Sequence, residues 1–161
     1  MIDTFGVWLA HTQLSVFVNS SPWIWAALET LHFIGLTVLI GTVGLLDLRL
    51  LGLFRGLPIA PLRALLPWTI GAFLLNLTTG VMFLAGSPFQ YIHNIGFGLK
   101  LLCVGIAGLN AIVFTATLSG TAAAVGAGMD TPRMAKVCAG ISLASWFAVL
   151  CFGRLIPYLG E

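Results

Sequence analysis

Four stretches of about 20 or more residues, at about 23–46, 65–86, 97–118 and 134–157, are almost free of charge and dominate the chain. A helix rises 1.5 Å per residue, so about 20 apolar residues cross the roughly 30 Å hydrocarbon core of a bilayer. No water in that core can satisfy the backbone, so a lone spanning segment closes its own hydrogen bonds as an α-helix. The sequence therefore predicts an all-α fold, an integral membrane four-helix transmembrane bundle surrounded by the lipid bilayer. Charged residues make up 7% of the chain, against about 25% in soluble domains, and could not cover a water-facing surface. Residues 1–161 read as a single transmembrane domain without internal repeats. The net charge of +2 is too small to form a nucleic-acid footprint.

Punctuation residues refine this outline. Residues 4–19, "TFGVWLAHTQLSVFVN", are too polar to span and predict a short N-terminal interfacial helix. "SSPW" then restarts the chain, with Ser21 as N-cap and Pro22 in the first helical position. The first span is expected to run on through "DLRLLGLF" and break near Gly56 and Pro58. Arg49, Arg55 and Arg63 flank the first loop between spans, and Arg133 and Lys136 the third. The positive-inside rule places both loops in the cytoplasm. The expected location is a bacterial inner (cytoplasmic) membrane, multi-pass, with N- and C-terminus periplasmic. The first Lys or Arg is Arg49, so the positive n-region of a signal peptide is missing. Cys103, Cys138 and Cys151 fall inside spans and read as small packing residues.

The charges inside the spans are the informative exceptions. "ALETLHFIGL" sets Glu29 and His32 in the outer half of the first span, and Lys100 and Arg154 lie in the outer halves of the third and fourth. His93 sits just above, in the outer loop; were the third helix to begin early, it would share a face with Lys100. A charge at mid-bilayer costs at least about 2.5–3.5 kcal/mol, so such groups face the bundle interior and pair or bind. Five ionisable groups are therefore expected at one level. Asp47 and Arg49 read instead as boundary charges, and Asn76 and Thr79 as interhelical hydrogen-bond formers. Gly140, Ala144, Ala148 and Cys151 make a small-residue stripe that either brings helices close or leaves room for a flat cofactor.

Three contents suit that level. A haem b wants a neutral imidazole on its iron and cations for its propionates. His32 would be the axial ligand, Lys100 or His93 the second ligand or a propionate partner, and Arg154 a propionate partner. Glu29 would orient His32 or relay protons. Copper would instead use a soft set drawn from His32, Cys103, Met82 and His93. A bare ion pair of Glu29 with Lys100 or Arg154 needs no cofactor at all. Glu29-x-x-His32 echoes the Glu-x-x-His of di-iron bundles, but a di-iron site is not expected, because the chain lacks the second such motif and the further carboxylates it requires.

"LETLHFIGLTVLIGTVGLLDLRLLGL", "GLKLLCVGIAGLNAIVF" and "FGRLIPY" resemble a family of small, uncharacterised bacterial four-span proteins over nearly the whole chain. A histidine in an early span and a lysine opening a later "K-L-L" span are also distantly similar to two membrane families. These are the HemJ-type protoporphyrinogen oxidases, which hold haem b and have an essential His and Lys, and the CopD-type copper-resistance domains. The matching positions are His32 and Lys100; Glu29 and Arg154 lie outside the pattern. The resulting expectation is a b-type haem protein passing electrons near the periplasmic face, with quinol or a periplasmic redox protein as partner. The alternatives are a copper-handling membrane protein and a non-catalytic accessory subunit of a larger membrane complex or homo-oligomer.

Overall fold

The structure is a computed structural model that describes residues 2–159. Along the chain it forms α1 (Ile2–Ala10), α2 (Gln13–Asn19), α3 (Pro22–Leu51) and α4 (Ile59–Leu62). A 3₁₀ turn (Arg63–Leu65) leads into α5 (Leu66–Gly86), followed by α6 (Pro88–Ile92), α7 (Ile95–Thr117), α8 (Ser119–Ala123) and α9 (Arg133–Leu159). The described residues include no strand. Four helices are long and apolar enough to span a membrane: α3, the stretch ending in α5, α7 and α9. The protein is an all-α four-helix bundle of membrane-spanning length.

The ends of α3 follow from local chemistry. Ser21 caps its start, its hydroxyl accepting from the Trp23 amide at 3.3 Å, and Pro22 needs no amide there. The helix stops at Leu51, earlier than expected near Gly56, because Gly52 adopts φ +102°. Leu53 N–H then reaches back to Leu48 C=O at 3.0 Å, and Gly52 N–H to Arg49 C=O at 3.1 Å. This Schellman closure needs the left-handed conformation that glycine adopts at little steric cost.

The predicted interfacial helix is two helices broken at His11, with Thr12 capping the second. Its second half packs on the bundle. Ser15 and Val18 are buried, and a Cβ added at Gly86 would lie 2.6 Å from Val18. Asn19 also donates to Gly86 C=O at 2.9 Å, so α2 docks on the end of α5. Phe5, Trp8, Val16 and Phe17 remain exposed on the opposite surface.

The spans pack in a chain of neighbours: α5 on α3, α3 on α9, and α9 on α7. No comparable interface joins α5 to α7, so the bundle is open along that side. At its basic end, where Arg55, Arg63, Arg133 and Lys136 lie, the connecting segments close over a core of Leu50, Ile59, Ala122, Val125, Ala135 and Ala139. The buried face of α9 carries Cys138, Ala139, Ser142, Ser145 and Val149. It is rotated away from the expected stripe, of which Ala144 and Cys151 are exposed. On this face Asn110 of α7 donates to Cys138 C=O at 3.0 Å, and Ser142 lies beside Asp47 of α3; small size alone does not identify it.

Candidate functional site

His32 lies a little above mid-bundle on α3, toward the end opposite the basic loops, and is half-buried against α5. Its Nδ1 is 2.7 Å from Thr79 Oγ1. The Thr79 hydroxyl has one hydrogen, and the backbone carbonyls of Leu75 at 2.8 Å and Asn76 at 3.2 Å are both placed to accept it. Thr79 is therefore the acceptor and His32 Nδ1–H the donor. In the neutral ring this leaves the Nε2 lone pair available. Phe83 stands edge-on to the imidazole with ring centroids 5.5 Å apart, and Trp25 packs on Phe83 at 5.3 Å. The ring is thus held on one side by a hydrogen bond and on another by aromatic contact.

Lys100, on α7, comes within Coulombic range of His32. Its side chain lies along Gly153 of α9, where an added Cβ would sit 3.4 Å from Nζ. Pro157, one turn beyond, has no amide to offer Gly153 C=O, so the helix ladder is interrupted beside this ammonium. Among the described residues Lys100 has neither a hydrogen bond nor an ion pair with another side chain.

The other three expected members do not join this pair directly. Glu29 is exposed on the surface of α3 and accepts from Trp25 Nε1 at 3.2 Å. Its charge reaches Tyr91 of α6, whose phenol is pushed above its ordinary range, first by burial and then by Glu29. Arg154 is exposed and lies 5.8 Å from the centre of the Tyr158 ring. His93 falls outside α7, because Asn94 caps that helix and starts it afresh. Its Nε2 meets Asp3 Oδ1 at 2.8 Å on the surface. A shallow cavity of about 380 Å³ beside it is lined by His93, Ile95, Tyr158 and Leu159. No ion pair links Glu29 to Lys100 or Arg154 among the described residues. Nor do three His, Cys, Asp or Glu side chains there converge as a metal-binding group.

Two residues read as boundary charges are instead buried. Arg49 is 0% exposed and Asp47 5%. Arg49 donates through Nε to Leu57 C=O, and through Nη2 to Gly126 C=O at 3.0 Å and Met129 C=O at 3.3 Å. It ties the two loops of the basic end to the last turn of α3. The available signal was their setting: both sit within "LLDLRLLGL", where alternate neighbours are leucine. A charge count identifies such residues, but does not reveal that a loop folds back over them.

The donor set suits a haem in two respects. His32 offers a neutral ring nitrogen with its other nitrogen held by Thr79, and Lys100, lying along Gly153 of α9, offers a cation without a side-chain partner within Coulombic range of His32. It suits a multidentate copper site poorly, because His93 is engaged at the surface and does not approach His32 in a common group. No protein-family model, curated protein or solved structure matches the chain.

Proposed function

We propose that this protein is a b-type haem membrane protein that passes electrons at the end of the bundle opposite its basic loops. The observation that carries the reading is the His32–Thr79 hydrogen bond, which fixes the imidazole as the Nδ1–H tautomer with Nε2 free. Metal-bound histidines are regularly held this way by a partner on the other ring nitrogen. When bound, a haem would supply one-electron chemistry.

The chain's own residues do the rest. His32 would hold the iron through Nε2. Lys100 would serve as second ligand or as partner to a propionate, and Arg154, near the surface, would take a propionate. Glu29, hydrogen-bonded by Trp25, would exchange protons with the interface. The open side between α5 and α7 gives a quinol lateral access from lipid. With the basic loops in the cytoplasm of a bacterium, this level faces the periplasm, where a soluble redox protein could also dock.

The visible spectrum of the full chain, purified in mild detergent from haem-replete cells, tests the reading. A Soret band with redox-sensitive α and β bands is expected, and His32→Ala should remove it. A colourless wild-type protein, or a full Soret band in His32→Ala, overturns the assignment. Lys100→Ala then distinguishes ligand from propionate partner: a ligand's loss changes the band positions, while a propionate partner's loss lowers haem retention with the bands unmoved. A colourless protein that keeps copper would point to the copper-handling alternative.

A further inference from the structure

Asp47 is the one carboxylic side chain buried within the bundle among the described residues. It sits in the last two turns of α3, with 5% of its surface exposed. The side chain facing it is Ser142, 7% exposed, on α9. Its Oδ2 is enclosed and has no hydrogen-bond partner. An ionised carboxylate offers about four acceptor sites and is expensive to bury with one oxygen empty.

No cation is positioned to offset that cost. On its own helix, Arg49 has turned its guanidinium to the carbonyls of Leu57, Gly126 and Met129 and forms no ion pair with Asp47. On α9, Cys138 is titratable, while Lys136 is bound to Asp130 at 2.8 Å. Arg133 is exposed at the helix start, and Arg154 lies at the far end over Tyr158. The other helices packed on α3, namely α2, α4 and α5, contain no titratable side chain.

We propose that Asp47 and Ser142 form a proton-binding site in the basic-end half of the membrane domain, with Asp47 held at neutral pH as the uncharged acid. Its O–H donates to Ser142 Oγ, and the remaining carbonyl oxygen is the atom left without a donor. Loss of the proton to water would leave an unpaired carboxylate among apolar helices, so the site keeps its proton until water or a base reaches it. Along α3 it is about 22 Å from His32 at 1.5 Å per residue. Of the proton-accepting groups of this helix, Asp47 therefore lies toward one end, and Glu29 and His32 toward the other. This inference does not depend on a haem.

Infrared spectroscopy of the full chain in detergent tests it. At neutral pH the difference between wild type and Asp47→Asn should show one protonated-carboxyl C=O stretch, which moves to lower frequency in D₂O. Ser142→Ala should keep that band and raise its frequency, because the hydrogen bond is lost. Asparagine resembles the neutral acid in shape and charge, so Asp47→Asn should fold with a thermal midpoint close to wild type. A difference spectrum containing only ionised-carboxylate bands overturns the proposal. A Ser142→Ala band at the wild-type frequency overturns the pairing.

Discussion

At the scale of single residues, the chemistry of the site rests on who donates to whom. Thr79 spends its hydrogen on the Leu75 or Asn76 carbonyl and so can only accept from His32. Thr79→Val should free the ring from that restraint. Second-partner losses of this kind typically cost 10–100-fold in ligand affinity, so haem affinity should fall by about that factor. The cofactor-independent reading is ¹⁵N NMR of the imidazole. Wild type should show the Nδ1–H tautomer alone and Thr79→Val a mixture; an unchanged spectrum would refute the donor assignment. Glu29 gives a second measurable effect. Its charge is the lesser of two causes that raise Tyr91, burial being the larger. Phenolate formation at Tyr91 should therefore begin above the ordinary value of about 10. Glu29→Gln should lower that onset without returning it fully to the ordinary value. Ultraviolet titration in a Tyr158→Phe background isolates the signal, since the chain has two tyrosines.

At the scale of helices, α3 and α5 approach closely at Gly35. A Cβ there would lie 2.5 Å from Asn76 Nδ2 and 3.3 Å from Ala72 C=O. The amide cannot retreat without losing its own bond to Ala72 C=O at 3.0 Å. Gly35→Ala gains up to about 1 kcal/mol in helix propensity, but overpacking costs typically 1–3 kcal/mol. The net expectation is a less stable protein, seen as a lower thermal midpoint in detergent and partly recovered by Asn76→Ala. A midpoint at or above wild type would show that the interface has slack. Span number, the Ser21–Pro22 start and the Thr79 hydrogen bond were legible in the sequence because each depends on local pattern or on a polar group in lipid. The break at Gly52 and the fresh start at Asn94 were less so. Both are fixed by cap geometry, and "DLRLLGLF" remains apolar straight through the break. The second of these carries a large consequence. With Asn94 as cap, its Oδ1 accepting from Phe97 at 3.2 Å and its Nδ2 donating to Ile156 C=O at 2.8 Å, His93 leaves the helix and the face that would have carried it toward Lys100.

At the scale of the whole molecule, the two ends differ in how they are closed. The basic end is sealed by Arg49, by Gly128 N–H to Arg55 C=O at 2.7 Å and by Ile59 N–H to Val125 C=O at 3.2 Å. Arg49→Met would remove the side-chain donor from the Leu57, Gly126 and Met129 carbonyls, of which Gly126 C=O keeps the Met129 N–H at 3.3 Å; a hydrogen bond to a charged group contributes about 1.5–3 kcal/mol. The expected result is faster proteolysis within 52–58 and 124–132, with helix content by circular dichroism unchanged; cleavage at the wild-type rate would mean that the loops hold themselves. This closure was invisible in the sequence because it joins segments nearly eighty positions apart, whereas the positive-inside pattern treats the same arginine as a surface charge. At the far end, α7 has α9 as its one long neighbour. Chain order gives that arrangement a consequence for biosynthesis. Helices α3 and α5 leave the ribosome in succession and can pair at once, but α7 emerges before the helix it needs. Until α9 follows, Lys100 has no Gly153 to lie along and Asn110 has no Cys138 carbonyl to donate to. The nascent protein therefore passes through a stage in which a helix bearing an ammonium and a carboxamide waits alone beside a finished hairpin, and the last span synthesised is the one that joins both halves.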